Sequence, residues 1–343
     1  MTFACFATLL LAILAQGEPV QGWHPHLRWA YSYDGSYKRR QIVRFVEGIT
    51  ILEDLTVPES GVYWISLIIL SNPPRDVNSY VTVNVYRNRE KYPSIPLSLE
   101  VSGTVHSFGA AWKLDKGDVL RVKSMGDVYI YDSSMWSVAF IAKNPPVFTA
   151  GVNFPMFGPV VFFSRIYLQG PGISQDNRTK ILEIKQSGNY LTFLSIAPYR
   201  LRKYNEAEVI LEHKRGGRWQ AVMHAYARES EQGNVGAVLK LASGAKLRVR
   251  REGGNTIASY TLSIVRISSI GQPVYTGLPK NADRIFKQGE VVKFGDQFAA
   301  YNHNSGKSSY NQNTGVFTNA EPDGSQYAVC LRPYPRAGGR CSA

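Results

Sequence analysis

The sequence offers little covalent support for a fold, because it contains only 3 Cys in 343 residues. Cys5 lies in an apolar N-terminal run, and the other two, Cys330 and Cys341, lie close together near the end of the chain. A small scaffold held by disulfides is therefore excluded, and most of the chain must be stabilised by hydrophobic cores. Cys330 and Cys341 either close a small loop or pair between chains.

Motifs of the common catalytic sites are also lacking. The sequence has no nucleophile elbow, phosphate loop or dinucleotide fingerprint, and its 6 His are scattered without the His-Glu-x-x-His spacing of a zinc site. Ser243 and Lys246 fit a Ser-x-x-Lys motif, but they lie in a turn that recurs elsewhere in the chain, which favours a structural role. We therefore expect a protein that is not an enzyme and has no cofactor.

No segment shows sustained helical periodicity with caps. Short runs in which apolar and polar residues alternate are frequent instead, as in residues 80–86, and turn signals separate them. Residues 62–70 are apolar on both faces, which predicts a central strand covered from both sides. The whole pattern predicts an all-β fold made of antiparallel sandwiches.

Long apolar runs are rare. One extends from Phe3 to Ala15 and is followed by Gly17, so small residues stand where a signal peptidase cleaves. It is short for a bilayer span. We interpret residues 1–17 as a signal peptide, with a signal anchor as the alternative, and expect a secreted, extracellular protein without a transmembrane segment. Asn177 begins an Asn-Arg-Thr glycosylation acceptor, a tripeptide that also arises by chance.

One stretch of the sequence occurs twice. Residues 114–122 and 241–249 lie 127 positions apart, and in both an apolar run is followed by a glycine turn and by alternating apolar and basic residues. One copy alone predicts a hairpin. Residues 60–63 recur as residues 187–190 at the same offset. Two copies at one offset predict a duplicated domain.

The repeat also predicts the domain boundaries. Its closing strand, residues 136–141, corresponds to residues 260–265, an offset of 124 that indicates a shortened turn. The predicted division is a signal peptide at 1–17, a first unit at 18–144, a second unit at 145–271, and a partial third unit at 272–343. The third unit contains the first half of the repeat only. It is either a capping fragment or an incomplete part of a longer chain.

The three units resemble the globular head of complement C1q. The third unit carries the first half of that pattern in Tyr310, Asn311, Thr314, Gly315, Phe317, Pro322, Gly324 and Tyr327. The first unit matches the middle and the end through Pro58, Gly61, Tyr63, Leu114, Gly117, Asp118, Val119 and Phe140. The second unit keeps Gly188, Tyr190, Leu241 and Gly244 but has Ala245 where the family prefers Asp.

This resemblance implies a ten-stranded jelly roll, shared with tumour necrosis factor ligands, which trimerises and recognises other molecules. The chain has no Gly-X-Y run, so it is similar to the collagen-less secreted members. The units either pack together as part of a pseudo-trimer or trimerise between chains as independent domains. Some relatives bind calcium, for which Asp115 and Asp118 are weak candidates. Turn formation is the alternative, because the second unit lacks both carboxylates.

Positive charge is concentrated in one unit. The chain has a net charge of +13, and residues 145–271 contribute 17 Lys and Arg against 8 Asp and Glu. A candidate basic surface comprises Arg200, Arg202, Lys203, Lys214, Arg215, Arg218, Lys246, Arg248, Arg250 and Arg251, with Trp219 beside it. Arginine forks suit sulfate, phosphate and carboxylate. The alternative is a solubilising surface without a ligand.

The sequence therefore predicts a non-enzymatic recognition protein of the innate-defence type. Its expected partners are anionic glycans or microbial-surface molecules, and it is expected to associate as a trimer or pseudo-trimer. Nucleic acid is disfavoured because no nucleic-acid-binding module is present. The alternatives are a signalling ligand similar to tumour necrosis factor, which would bind a cell-surface receptor, and a structural component of the extracellular matrix.

Overall fold

The described part of the protein consists of antiparallel strands and loops, without a helix. The computed structural model describes residues 27–269, with gaps at 33–34, 48–49, 73–80, 89–97, 102–104, 133, 153–158, 199–205, 229–232 and 253–257, and also residues 278–279, 294–295, 308–311 and 316–319. The predicted all-β class is confirmed. Within these ranges there is no helix that has the length and the apolar character to cross a membrane.

The first sandwich is built from strands β1 to β12. In chain order they are β1 (Leu27–Ser32), β2 (Gly35–Tyr37), β3 (Phe45–Glu47), β4 (Thr50–Leu52), β5 (Leu55–Thr56), β6 (Gly61–Asn72), β7 (Val81–Arg87), β8 (Ser98–Val101), β9 (Val105–Leu114), β10 (Val119–Ser124), β11 (Val128–Ile130) and β12 (Met135–Ala142). One sheet has the order β2-β11-β6-β12-β1-β3-β4, with β9 paired to β6, and the other has the order β5-β10-β7-β8.

The second sandwich is built from strands β13 to β22. They are β13 (Val147–Val152), β14 (Arg165–Gln169), β15 (Ile173–Gln175), β16 (Leu182–Ile184), β17 (Gly188–Pro198), β18 (Glu206–Arg215), β19 (Arg218–Arg228), β20 (Gly233–Leu241), β21 (Lys246–Glu252) and β22 (Ala258–Ser268). Two five-stranded sheets have the orders β14-β13-β22-β17-β20 and β15-β16-β21-β18-β19. Because consecutive strands repeatedly change sheet, the topology is a jelly roll.

Two short hairpins lie further along the chain, where the sequence predicts a partial third unit. They are formed by β23 (Leu278–Pro279) with β24 (Phe294–Gly295), and by β25 (Ser308–Asn311) with β26 (Val316–Asn319). The remaining residues after Ser269 lie outside the described part of the chain, and so do Cys330 and Cys341.

Each sandwich has its own hydrophobic core between its sheets. Along β6, Tyr63, Ile65 and Leu67 point into the first core and are at most 1% exposed. Val62 and Trp64, on the other face of β6, are 3% and 1% exposed. The predicted two-sided burial of this strand is therefore confirmed, and residues of the second sandwich provide part of the cover on its outer face.

The repeated glycine turn joins strands of different sheets. Strand β9 belongs to the larger sheet of its sandwich, whereas β10, after the turn at Gly117, pairs with β5 and β7 in the other sheet. Strands β20 and β21, on either side of Gly244, are divided in the same way. The hairpin expected from one copy is therefore wrong, because alternation fixes the buried face of a strand and not its pairing partner.

Two buried tyrosines make the same hydrogen bond in the two sandwiches. The hydroxyl of Tyr63 donates to the carbonyl oxygen of Glu59 at 2.7 Å, and that of Tyr190 donates to the carbonyl oxygen of Gln186 at 2.6 Å. Burial raises the pKa of Tyr190 to about 12. Each hydroxyl thus ties the beginning of a central strand to the turn that precedes it.

The register of the closing strands differs from the offset expected from sequence. Trp64 of β6 pairs with Ala139 of β12, and Leu191 of β17 pairs with Val265 of β22. Since β6 and β17 are 127 positions apart, this pairing places the closing strands 126 positions apart rather than 124. The sequences of β12 and β22 can be aligned two residues out of register and still match apolar with apolar positions, because side chains alternate with a period of two. Sequence similarity alone therefore did not determine this register.

A third apolar cluster joins the two sandwiches, and we call it the inter-sandwich cluster. Its buried members are Val62, Trp64, Ala111, Ala139, Val147, Leu191, Phe193, Val238 and Val265. The rings of Trp64 and Phe193 meet edge to face, with their centroids 6.4 Å apart. The two sandwiches therefore pack through the outer faces of sheets that each also line a core of their own.

The hydroxyl groups of Ser263 and Thr149 form hydrogen bonds between the two sandwiches. On the edge strand β9, the amide of Ala111 donates to Oγ of Ser263 at 2.8 Å, and the carbonyl oxygen of Ala111 accepts from Oγ1 of Thr149 at 2.9 Å. The two hydroxyl oxygens are themselves 2.8 Å apart. A buried sheet edge with unpaired backbone groups is costly, and here side chains of the second sandwich satisfy it.

Candidate anion-binding surface

The second sandwich directs charged side chains outward from the sheet β15-β16-β21-β18-β19. On β21, Leu247 and Val249 are at most 1% exposed and point into the core. Successive side chains of a strand point to opposite faces, so Arg248 and Arg250 point outward. Strand β18 runs beside β21 and pairs Glu212 with Arg248. The register therefore sets a carboxylate among the arginines.

Trp219 lies at the start of the next strand, on the β18–β19 hairpin. It pairs with Lys214 across this hairpin. The guanidinium carbon of Arg248 lies 4.2 Å from the centroid of the indole ring, and Nζ of Lys214 lies 5.9 Å from it. Both distances fall within the range of cation–π attraction. One half-buried ring thus holds cations from two different strands.

Glu212 is a buried carboxylate, only 5% exposed, that bridges two arginines. Its Oε2 accepts from Nε of Arg248 at 2.6 Å, and its Oε1 accepts from Nε of Arg250 at 2.9 Å. Nη2 of Arg250 also donates to Glu252 at 3.0 Å. Hydrogen bonds to Glu252 and Glu212 raise the pKa of Arg250, and the bond from Arg250 lowers the pKa of Glu252.

The remaining predicted cations of the hairpin, Arg215 and Arg218, pair with each other and therefore lie on the face opposite Lys214 and Trp219. Arg218 is exposed, and Arg215 donates from Nε to Nδ1 of His213 at 3.1 Å. Burial lowers the pKa of His213, and the charge of Arg215 lowers it further. Lys246 is exposed at the start of β21, opposite Glu183 of β16.

Some predicted residues are not brought to this cluster. By the alternation of β21, Arg251 points away from the face that carries Arg250, and its charge acts on Tyr260, whose pKa burial raises. Arg200, Arg202 and Lys203 lie outside the described residues. The described cluster thus comprises Lys214, Trp219, Lys246, Arg248 and Arg250.

Sequence reasoning missed Glu212 as a member of the site. The alternation of β18 places Glu208, Glu212 and Lys214 on one face, which was a visible signal. The register between β18 and β21 decides which arginine meets which carboxylate, and nothing in either strand alone states that register. Counts of Arg and Lys predicted a purely basic surface. In the structure, the carboxylate of Glu212 lies between the arginines at its centre.

Asn177, the predicted glycosylation acceptor, lies in an exposed turn between β15 and β16. The carboxylate of Asp176 organises this turn by accepting from the amide of Arg178 at 2.8 Å and from the hydroxyl of Thr179 at 2.6 Å. These bonds lower the pKa of Asp176. The acceptor asparagine is thus on the surface of the second sandwich.

Asp115 and Asp118, the weak calcium candidates, both bind Arg87. Nη2 of Arg87 lies 2.7 Å from Asp115 and its Nε lies 2.8 Å from Asp118. Asn88 and the amide of Asp115 also donate to Asp118. Burial acts to raise the pKa of Asp118, but these donors together hold it below its ordinary value. Among the described residues, no three His, Cys, Asp or Glu side chains form a metal-binding group.

The Ser-x-x-Lys motif has a structural environment. The amide of Ser243 donates to Oγ of Ser187 at 2.8 Å, and its hydroxyl donates to the carbonyl oxygen of Lys185 at 2.8 Å. In the first sandwich the amide of Lys116 makes the matching bond to Oγ of Ser60 at 2.9 Å. The serine hydroxyl is therefore engaged in holding the repeated turn against the connection between β16 and β17.

Comparison with solved structures gives similarities to parts of the chain. The globular domain of zebrafish complement 1qA protein has 16% identity and a TM-score of 0.30, over 36% of this chain and 98% of that chain. Murine APRIL has 16% identity and a TM-score of 0.29, over 35% and 98%. Eiger TNF from S. frugiperda has 14% identity and a TM-score of 0.28, over 38% and 99%.

No protein-family model matches the chain, and no curated protein matches it. The solved structures to which it is similar are of the C1q and tumour necrosis factor types, as the resemblance in the sequence implies. The jelly-roll topology itself is established by the strand orders of the chain.

Proposed function

We propose that this chain is a secreted, non-enzymatic recognition protein, and that the outer sheet of its second sandwich binds anionic extracellular ligands such as acidic or sulfated glycans and microbial-surface polymers. The observation that carries the proposal is the contact of Trp219 with both Arg248 and Lys214. An aromatic ring that holds two cations in place reduces the entropy that they lose when they bind an anion.

The distribution of charge supports this surface as the binding face. Residues 145–271 carry 17 Lys and Arg against 8 Asp and Glu, whereas residues 18–144 carry 14 against 13. Lys214 and Lys246 are exposed on this face, and neither forms an ion pair with another described residue. Exposed positive charges attract polyanions over a distance that the ionic strength determines.

The test is binding of the full chain to an array of glycans and bacterial surfaces at low and high salt. We expect binding to sulfated or acidic polymers that weakens with salt and weakens further in Lys214→Ala/Lys246→Ala. The matched control is Lys116→Ala/Lys185→Ala, which removes two exposed lysines elsewhere. Equal losses in both double variants would contradict a localised site. Binding to host cells alone, with high affinity, would favour a signalling ligand instead.

We also propose that packing within one chain replaces part of the assembly between chains. The inter-sandwich cluster supports this, because a sheet face that would otherwise be exposed is buried there by the neighbouring sandwich. On this proposal, light scattering of the full chain gives a compact monomer. A stable trimer of chains would favour independent domains that associate between molecules.

A further inference from the structure

The contacts of Arg248 leave its terminal guanidinium nitrogens available to bind an anion, whereas those of Arg250 do not. Nε of Arg248 donates to Glu212, and its guanidinium stacks on Trp219. Its two terminal nitrogens, Nη1 and Nη2, form no hydrogen bond with the described residues, although the side chain is 23% exposed. A guanidinium anchored at Nε presents these two nitrogens as a parallel pair of donors.

Arg250 provides the internal comparison. It lies on the same face of β21, also donates from Nε to Glu212, and is similarly exposed at 29%. Its Nη2, however, is already bonded to Glu252 at 3.0 Å. Two carboxylates therefore neutralise Arg250 and accept hydrogen bonds from its Nε and Nη2. In Arg248 only Nε is used in this way, and Nη1 and Nη2 donate to no acceptor among the described residues.

Lys214 supplies a third donor at the same indole ring. It is exposed, contacts the same indole ring as Arg248, and forms no hydrogen bond or ion pair within the described residues. A carboxylate that accepts a bidentate arginine has to share one of its two oxygens with a third donor. A sulfate ester has three terminal oxygens, so it can offer a separate oxygen to each nitrogen of the arginine pair and to the ammonium.

We propose that Arg248 and Lys214, supported by Trp219, form a binding site for a sulfate ester of a polysaccharide. This inference rests on the proposed function and deepens it by naming the group that is bound. Trp219 acts as a platform for the cations, because its face is covered by the Arg248 guanidinium. Glu212 is a positioning residue: it contacts no ligand but holds the Nε side of Arg248 inward.

The test compares two probes and two conservative variants. Dextran sulfate and carboxymethyl dextran share a backbone and differ in the shape of the anion. Arg248→Lys keeps the positive charge but removes the fork and the planar stack, so it should weaken dextran sulfate binding about tenfold. Arg250→Lys is the same substitution two residues away, and it should weaken dextran sulfate binding less than about twofold. The unmodified chain should bind carboxymethyl dextran more weakly than dextran sulfate.

Two further variants separate positioning from binding. Glu212→Gln should reduce the preference for dextran sulfate over carboxymethyl dextran, since one neutral amide oxygen cannot fix both arginines. Lys214→Ala, at an exposed position, should weaken dextran sulfate binding without changing the thermal unfolding of the chain. It therefore tests the site even where a change at Glu212 disturbs folding.

The outcomes distinguish this inference from the proposed function. Equal losses for Arg248→Lys and Arg250→Lys, in a chain that binds dextran sulfate, would overturn the specific site while leaving anion recognition intact. Tighter binding of carboxymethyl dextran, or of dextran phosphate, would overturn sulfate as the bound group. A chain that binds none of the anionic polymers would overturn the proposed function itself.

Discussion

The amide of Ala111 in the first sandwich donates to Oγ of Ser263 in the second, over 2.8 Å. Both residues are buried, so the hydrogen bond is made out of contact with water. It is one of two hydrogen bonds from side chains that satisfy the otherwise unpaired backbone groups of β9 at the inter-sandwich cluster. The packing of the two sandwiches thus depends on polar groups as well as on apolar area.

Ser263→Ala should therefore destabilise the chain by about 1–3 kcal/mol, because it leaves the buried amide of Ala111 without an acceptor. Urea unfolding measures the change. Thr261→Ala is the matched control: Thr261 lies on the same face of β22 but is partly exposed, and it should change stability by less than about 0.5 kcal/mol. Similar losses in the two variants would show that this hydrogen bond has no special role.

Trp64 couples the stability of the two sandwiches. It is 1% exposed in the inter-sandwich cluster, and its indole nitrogen has no hydrogen-bond partner among the described residues. Trp64→Ala should cost about 3–5 kcal/mol. Trp64→Phe should cost much less, because it keeps a ring against Phe193 and removes an unsatisfied buried donor.

Amide hydrogen exchange distinguishes this coupling from ordinary core damage. In Trp64→Ala, exchange should accelerate in β17 and β22 of the second sandwich as well as in β6. Trp136, which is 2% exposed inside the first core, provides the control. Trp136→Ala should act mainly on the first sandwich, and equal acceleration in the second sandwich by both variants would contradict a local role for Trp64.

Asp118 should make the chain sensitive to acid. Burial alone would raise its pKa, but the amide of Asp115, Asn88 and Arg87 hold the folded-state pKa below its ordinary value. A group with a depressed folded pKa stabilises the fold above its unfolded pKa, near about pH 4, and this contribution is lost as the pH falls through the folded value.

Asp118→Asn should therefore lower stability at neutral pH, by about 2–3 kcal/mol, and the difference from the unmodified chain should shrink as the pH falls below about 4. Unfolding by urea across this pH range measures it. Asp127→Asn is the control. It breaks the ion pair between Asp127, which is 65% exposed, and Lys38, which is 75% exposed, and it should have little effect on stability. A constant difference at all pH values would exclude the ionisation of Asp118 as the cause.

The repeated turn should respond alike in both sandwiches. Gly117 and Gly244 have φ angles of 88° and 82°, and a Cβ at either position would meet no atom within 4 Å. Alanine at either should cost about 1 kcal/mol through the backbone conformation alone. Gly35, where a Cβ also meets nothing and φ is not left-handed, is the control and should tolerate alanine. A neutral effect at Gly117 or Gly244 would contradict this account of the turn.

The sequence was sufficient for the strands but not for the contacts between them. Alternation located β7 and β21, and the apolar run of residues 62–70 marked the centre of a sheet. These are local patterns that depend on one strand at a time. The pairing of β9 with β6 instead of β10 depends on the whole topology, which is why the repeated turn suggested a hairpin.

Polar residues of the interface and of the candidate site were the hardest to predict. Thr149 and Ser263 are polar residues that no sequence motif marked, and the structure places them against the edge strand of the first sandwich. Arg248 and Arg250 were correctly placed on an outer face by alternation. That Glu212 joins them follows only from the register of β18 and β21.

The most direct test of the central claim is hydrogen–deuterium exchange of the full chain with and without dextran sulfate. Binding at the described cluster should protect amides of β18, β19 and β21, which lie within residues 206–228 and 246–252, and should leave β6, β9 and β12 unchanged. Arg248→Lys should abolish most of this protection, whereas Arg250→Lys should retain it. Protection confined to the first sandwich, or none in a chain that binds the polymer, would contradict recognition through the outer sheet of the second sandwich.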